Sequence, residues 1–532
     1  MVEGTVEAKE VRVRPRLWEW LALGLVLVLA GYLRFTNLQS NPGWYSDEGT
    51  LADITKHLAA DRVQYLALNR STLLAARLPL VPLLASALVR LGVNPLEALR
   101  AIAATSGVLS TGLTYALVRS GAGAGALGLL SALLFAIYPP GVFYSRVGFS
   151  YNLLTPLVVL SVAGLWFYLS RGIRMGLALA ALAIGIGATG DLMMISLAAP
   201  LIVVTIVRRA RDLGWSIPLL VAPFVLYCGL MLARDPQAFL FDARFVFGRL
   251  MAVPWWAQLP LIAYNFGTLA LTDPWWAPAI IGLLLVRPRT WRLLLLVSFL
   301  LPLVLLGRTS GLAGLRRYSI SPLFPFLAVG MANLLWAGVP WILAISGEAI
   351  ENHINRIGWL AGTPEGTWVK PRAIALGSAG LVFILVFTPF IVSSLQLVDQ
   401  IQSGFRPENE WAYVPVEQAQ AAAAFINRSA GASELVVASP ALAWDLDTQA
   451  TDFQQALAFR GLPSVDYPAN VPRDRFAYGA DYERASFVVI DPIWREWGAV
   501  HLTEVAEMLE QIEGWPVAFE AGGVQVYRNP DK

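Results

Sequence analysis

Leu17–Phe35 reads LWEWLALGLVLVLAGYLRF, and after five residues Asn41–Leu58 reads NPGWYSDEGTLADITKHL. The first stretch is a continuous apolar run whose length, at about 1.5 Å per residue, suits a hydrocarbon core about 30 Å thick. It ends in Tyr32, Leu33 and Arg34 with no small-x-small cleavage site, so it reads as a retained membrane helix rather than a signal peptide. Lys9, Arg12, Arg14 and Arg16 precede it and place its start in the cytoplasm. The second stretch therefore lies at the outer mouth of that helix. It gathers Asp47, Glu48, Asp53, Lys56 and His57 in a chain otherwise poor in charge.

Composition agrees with this start. Hydrophobic residues make up 56% and charged residues only 14% of the 532, with a mean hydropathy of +0.58; soluble proteins are roughly one quarter charged. The expected fold class is an α-helical polytopic membrane protein. A formal charge of +2 carries no message about partners, and no nucleic-acid partner is expected. Cys228 is the only cysteine, which rules out a disulfide framework and a cysteine-ligated metal.

Charge asymmetry sets the topology. Leu73–Leu91 is apolar but interrupted by Arg77, Pro79, Pro82 and Arg90. Read as an interfacial or re-entrant helix, it leaves Arg119, Arg171 and Arg174, Arg208 to Arg211, and Arg287 to Arg292 all cytoplasmic, whereas a full span would reverse every group. Further spans are expected at about 101–118, 124–142, 151–169, 175–188, 192–207, 215–232, 275–286, 293–306, 320–345 and 373–393, with 258–272 undecided. The total is about 11 to 13. The first outer loop is then about 36–100, residues 347–372 form the main cytoplasmic loop, and the C-terminus lies outside.

From residue 394 the composition becomes that of a soluble domain. Helices at 416–428 and 502–513 alternate with strands at 434–439, 486–491 and 524–527, which predicts a small extracytoplasmic α/β domain over 394–532, with Gly522-Gly523 as a hairpin turn. It has no phosphate-binding glycine loop, and a binding or capping role is expected.

Within the outer loop, a helix over 48–58 would put Gly49, Asp53, Lys56 and His57 on one face, with Ser46 or Asp47 as its cap. The plain alternative is a solvated amphipathic turn. Trp44 and Tyr45 suit the interfacial belt, and a carboxylate near lipid is pushed towards general-base range. Tyr144-Ser145-Arg146 ends the third span on the same face, followed by Tyr151-Asn152. Gly314–Pro325, GLRRYSISPLFP, sets Arg316, Arg317 and Tyr318 outside, against the positive-inside preference. Guanidinium forks match phosphate, so this pair fits a polyprenyl-phosphate head group, or else ordinary lipid phosphates or the following domain. Arg234, Asp235, Asp242, Arg244 and Arg249 populate another outer loop, and Trp255, Trp256, Trp275 and Trp276 read as interface anchors. Asp191, in a turn between spans, is a candidate by its ionisable nature. With no HxxxH spacing, nothing predicts a protein-built zinc site; a divalent cation held by Asp47, Glu48 and substrate phosphate stays open.

Taken in order, Asp47-Glu48, Leu96–Arg100, Tyr144-Ser145-Arg146, and Arg317-Tyr318 with Pro322 and Pro325 resemble the integral-membrane GT-C glycosyltransferases, in the branch of protein O-mannosyltransferases and the lipid A aminoarabinose transferase. The resemblance covers most of the chain. It implies a catalytic membrane domain over 1–393 and sugar transfer, with inversion, from a polyprenyl-phosphate donor to a protein, lipid or glycan acceptor on the outer face. Asp47 would be the base and Glu48 its assistant. Arg317, with Arg316 and Arg146, would hold the phosphate, while Tyr144, Asn152, Tyr318, Asp191 and His57 would line the substrate site. The chain departs from the family pattern where Ser150, Tyr151 and Asn152 replace a second acid and where Asp191 stands in place of a lysine. A transporter or flippase of lipid-linked sugars is the competing reading, but it would put ionisable groups at mid-membrane.

Overall fold

Helix α1 (Leu17–Phe35) shows which solvent the fold was made for. Leu17, Leu21, Leu25 and Val28 form an exposed apolar stripe, while Leu23, Ala30 and Leu33 face the other helices. An exposed stripe of large apolar side chains is costly in water and ordinary in lipid. The computed structural model describes residues 16–70, 78–251, 254–308, 317–338, 371–399 and 412–532.

The first long loop, between α1 and the next long helix, contains β1 (Trp44–Tyr45), α2 (Ser46–Ala59), the hairpin of β2 (Gln64–Tyr65) and β3 (Leu68–Asn69), and α3 (Leu80–Val89). At ten residues, α3 rises about 15 Å, half the hydrocarbon thickness, so it does not cross. It packs on α2 and on α4 (Pro95–Ala122). The expected third span is broken into α5 (Gly125–Ile137) and α6 (Pro139–Tyr144), because Pro139 and Pro140 lack the N–H groups needed to continue one helix. Next come α7 (Ser150–Arg171) and α8 (Arg174–Ala188). A tight turn at Leu192–Leu197 replaces the first part of the span expected at 192–207 and leads into α9 (Ala198–Arg209). Then follow α10 (Leu213–Arg234), α11 (Pro236–Met251), α12 (Trp255–Thr272), α13 (Trp276–Leu284), α14 (Arg289–Gly307), α15 (Ser321–Gly338) and α16 (Pro371–Val398). The undecided stretch 258–272 is thus helical. Most of the expected cytoplasmic loop, and the end of the span expected at 320–345, lie outside the described residues. Among the described residues six stretches are long and apolar enough to cross a membrane, the longest, Leu192–Arg234, containing both α9 and α10. Shorter apolar helices at Gly125–Ile137, Arg174–Ala188 and Ile384–Val398 accompany them.

Strand β4 (Tyr413–Val414) pairs antiparallel with β1, which brings the start of the α/β region back onto the first loop. Beyond it lie α17 (Val416–Ser429), β5 (Leu435–Ala438), α18 (Pro440–Ala443), β6 (Gln449–Thr451), α19 (Phe453–Phe459), β7 (Phe487–Ile490), α20 (Thr503–Glu513), β8 (Val517–Ala521) and β9 (Val524–Arg528). The sheet order is β6-β5-β7-β9-β8, with β5 parallel to both β6 and β7 and β9 antiparallel to its neighbours. Buried strands β5 and β7 match their apolar sequence runs. Strand β6 is short and β8 is a largely exposed edge, so neither carries the hydrophobic run that marks a core strand.

Candidate active site

Helix α2 starts at Ser46, and its N-cap is Tyr45, whose side chain makes no cap. Ser46 and Asp47 are therefore inside the first turn rather than capping it. Asp47 and Glu48 sit where unsatisfied backbone N–H groups favour acids. Their environments differ sharply. Glu48 is fully buried, with Oε1 accepting from Arg100 Nε at 2.8 Å and from Gly148 N–H at 2.6 Å, and Oε2 accepting from an Arg100 terminal nitrogen at 2.8 Å. Gly148 has to be glycine here, because a Cβ would come within 2.6 Å of Leu99 Cβ. Arg100 also donates to the carbonyls of Leu38, Pro42 and Gly43, each at 3.0 Å, which ties the approach to β1 onto α4. Glu48 is thus an anchor of the loop, not a second mobile acid. Asp47, half-buried, follows the short extended strand that this anchor holds.

Around Asp47 aromatic rings converge from distant parts of the chain. Tyr45 stacks on Tyr413 with centroids 4.8 Å apart, meets Phe149 edge-on at 5.4 Å, and lies 6.3 Å from Tyr318. Tyr318 also packs on Phe149 at 4.7 Å, on Tyr151 at 5.8 Å, and on Tyr144 at 6.3 Å. Its neighbour Arg317 is buried and donates to the Thr272 carbonyl at 2.7 Å, next to Asp273, which accepts from the Tyr138 hydroxyl. The acidic loop and the late arginine loop therefore meet through Tyr45 and Tyr318. Arg316 lies outside the described residues.

Other residues singled out by sequence are placed differently from expectation. Arg146 is 1% exposed and donates to the carbonyls of Leu33 (2.9 Å), Thr36 (2.7 Å) and Asn41 (3.0 Å). It closes the C-terminal end of α1, whose last carbonyls have no helical partner, and does not present its fork to a ligand. Arg34 does the same for α5, donating to Phe135 and Ala136. Asn152 donates to the carbonyls of Tyr144 (2.9 Å) and Val147 (2.7 Å) and so shapes the α6–α7 turn. Asp191 accepts from Met193 N–H at 2.8 Å and caps the Leu192–Leu197 turn. That turn borders an apolar groove of about 370 Å³ lined by Ile195, Ser196, Ala199, Leu301, Val304 and Leu305, with Arg308 at one end.

The face shared by Gly49, Asp53, Lys56 and His57 is real, and protein covers it instead of water. Gly49 lies so close to the Pro440 carbonyl that a Cβ would collide with it. Lys56 Nζ donates to the carbonyls of Trp444 (3.2 Å) and Leu446 (3.1 Å). Asp53 accepts from Leu66 N–H at 2.6 Å and pairs with His57 Nδ1 at 3.2 Å. The Tyr65 hydroxyl donates to Asp452 at 2.9 Å, and burial pushes the Asp452 carboxyl up to about 7. A buried bidentate pair, Arg475 to Asp242 at 2.8 and 2.9 Å, fastens the α/β region to α11. Among the described residues no group of three or more His, Cys, Asp and Glu could hold a metal. Because both Glu48 oxygens are engaged, the acidic pair does not fit a cation site.

No protein-family model and no curated protein sequence matches the chain. Solved structures do. ArnT from Cupriavidus metallidurans bound to undecaprenyl phosphate superimposes with a TM-score of 0.59 at 17% identity, over 96% of this chain and 98% of that one. The fold is the GT-C fold. An oligosaccharyltransferase from Archaeoglobus fulgidus in the apo form gives 0.55 at 13% identity, over 91% of this chain and 70% of that one. The same organism's AglB, in complex with an inhibitory peptide and a dolichol-phosphate, gives 0.51 at 13% identity, over 96% and 74%. Within this GT-C frame, sequence reasoning passed over Arg100 and Tyr413 as site residues. Arg100 carried a usable signal, an ionisable group leading into the apolar run at 101–118. Tyr413 carried none, since only the β1–β4 pairing brings it to the loop.

Proposed function

We propose that this protein is a membrane glycosyltransferase that moves a sugar from a polyprenyl-phosphate donor to an acceptor on the outer face. The observation that carries the reading is the convergence of the Asp47 loop with Arg317 through the Tyr45–Tyr318 contact. In the reaction, an acceptor hydroxyl attacks the anomeric carbon as the bond from that carbon to the phosphate oxygen breaks. The electron pair leaves with the phosphate, and Asp47 accepts the hydroxyl proton. One displacement inverts the anomeric centre. Glu48, locked by Arg100 and Gly148, holds the turn that aims Asp47, and Arg317 stabilises the departing phosphate charge. The groove ending at Arg308 offers the polyprenyl chain an apolar path from the bilayer.

The test is to incubate the purified protein in nanodiscs with a panel of undecaprenyl-phosphate sugars and candidate outer-membrane and cell-wall acceptors, following release of undecaprenyl phosphate by mass spectrometry. Asp47→Asn should abolish release while leaving expression and thermal midpoint unchanged; turnover near wild type would remove Asp47 as the base.

A further inference from the structure

Tyr413 enters the site from the far end of the chain. Strand β4 pairs it with Tyr45, two residues before Asp47. Its ring is fixed by stacking on Tyr45 and by an edge contact with Phe143 at 5.4 Å. Its hydroxyl is fully buried, yet it makes no hydrogen bond to any described group. A buried hydroxyl without a partner costs roughly 1–3 kcal/mol, so its retention calls for an explanation. Burial, Tyr144, Tyr45, Glu48 and Asp47 all push its pKa well above the usual tyrosine value. It therefore stays a proton donor under all physiological conditions. Arg34, Arg100 and Arg146 are buried near one another, and among the described residues only Arg100 of the three has a carboxylate partner, Glu48.

Deepening the glycosyltransferase reading, on which it rests, we propose that the Tyr413 hydroxyl donates a hydrogen bond to a phosphate oxygen of the lipid-linked donor. A neutral donor held rigidly in a water-poor site gains most from an anionic oxygen. The residue thereby makes the extracytoplasmic region a contributor to the site as well as its cover, since β4 opens that region.

The experiment compares full-length wild type and Tyr413→Phe in detergent for binding of undecaprenyl phosphate and of undecaprenol, with thermal midpoints measured without lipid. Phenylalanine keeps the ring contacts and removes only the hydroxyl. The expected result is a weakening of undecaprenyl phosphate binding by about tenfold to a hundredfold, undecaprenol binding unchanged, and a midpoint that holds or rises. Unchanged phosphate-lipid affinity, or an equal loss for both lipids, overturns the proposal while leaving the donor reading intact. A midpoint that falls by several degrees overturns it too, because the hydroxyl then has a protein partner. If wild type itself fails to prefer undecaprenyl phosphate over undecaprenol, the donor reading fails first.

Discussion

Removing the anchor of the acidic loop from either side should cost unequal amounts. Glu48→Gln keeps an oxygen for Gly148 N–H but sets an amide against Arg100 and leaves that guanidinium, 1% exposed, without its counter-charge. Breaking a buried pair from one side costs about 3–5 kcal/mol. Arg100→Met strands Glu48 equally and also removes the donor to the carbonyls of Leu38, Gln39, Pro42 and Gly43. At up to about 1 kcal/mol for each carbonyl left without a protein donor, the arginine variant should be worse by roughly 2–4 kcal/mol. The double variant should lose only roughly 2–4 kcal/mol, no more than Glu48→Gln, since it removes the stranded charge but not the loss at the carbonyls.

Thermal midpoints of the three variants in one detergent check this order, with transfer rate as the second readout. Both singles should lose activity, the arginine variant more, because the loop it staples leads directly into Tyr45 and Asp47. Glu48→Gln as stable as wild type, or more damaging than Arg100→Met, would refute the anchoring account and return Glu48 to the list of acids that take part in chemistry.

Arg317→Ala should weaken undecaprenyl phosphate binding without a comparable loss of acceptor affinity; unchanged lipid affinity would count against the phosphate role. Gly49→Ala, which cannot fit against the Pro440 carbonyl, should destabilise by about 1–3 kcal/mol, read as a lower thermal midpoint. Asp242→Asn should lower the thermal midpoint by leaving Arg475 buried and uncompensated, and a midpoint equal to wild type would show that the pair does not hold the regions together. For Asp452 the folded carboxyl is raised by burial to about 7 from an unperturbed 3.8. The folded state thus binds the extra proton, so docking is firmest below about pH 4 and weakens as pH rises through 7. Asp452→Asn should flatten that dependence in a pH series of thermal midpoints.

The membrane helices were largely legible because lipid rewards continuous apolar runs: α1, α7 and α14 fall within a few residues of the runs that predicted them. The break between α5 and α6 was hidden by the same logic, since Pro139-Pro140 sits inside a run that hydropathy alone treats as unbroken. The face made by Gly49, Asp53, Lys56 and His57 followed from helical spacing. Its partner did not, because no local pattern in a helix says whether water or another region covers it. Arg146 illustrates a different limit. An arginine on the outer side reads as a phosphate ligand, and only the three-dimensional meeting of α1 with the α6–α7 turn reveals that its donors are used on backbone carbonyls. The convergence of Asp47 with Arg317 was reachable only as a shared membrane face; the contact that joins them is aromatic.

On the proposed reading, those buried arginines also bear on how an acidic loop could face an anionic substrate. Two helices, α1 and α5, end close together, and their last carbonyls need donors that lipid does not supply. Arg146 and Arg34 serve them, with bonds to Leu33 and Thr36 and to Phe135 and Ala136. Neither meets a carboxylate among the described residues. Capping carbonyl dipoles neutralises only part of a full positive charge, so both arginines remain cationic while holding these helix ends. The requirement imposed by helix termination in lipid thus places a cation against the loop that carries Asp47, through the bond from Arg146 to the Asn41 carbonyl. On the proposed reading, cations so placed help the site tolerate a phosphate that a bare pair of acids at the membrane surface would repel.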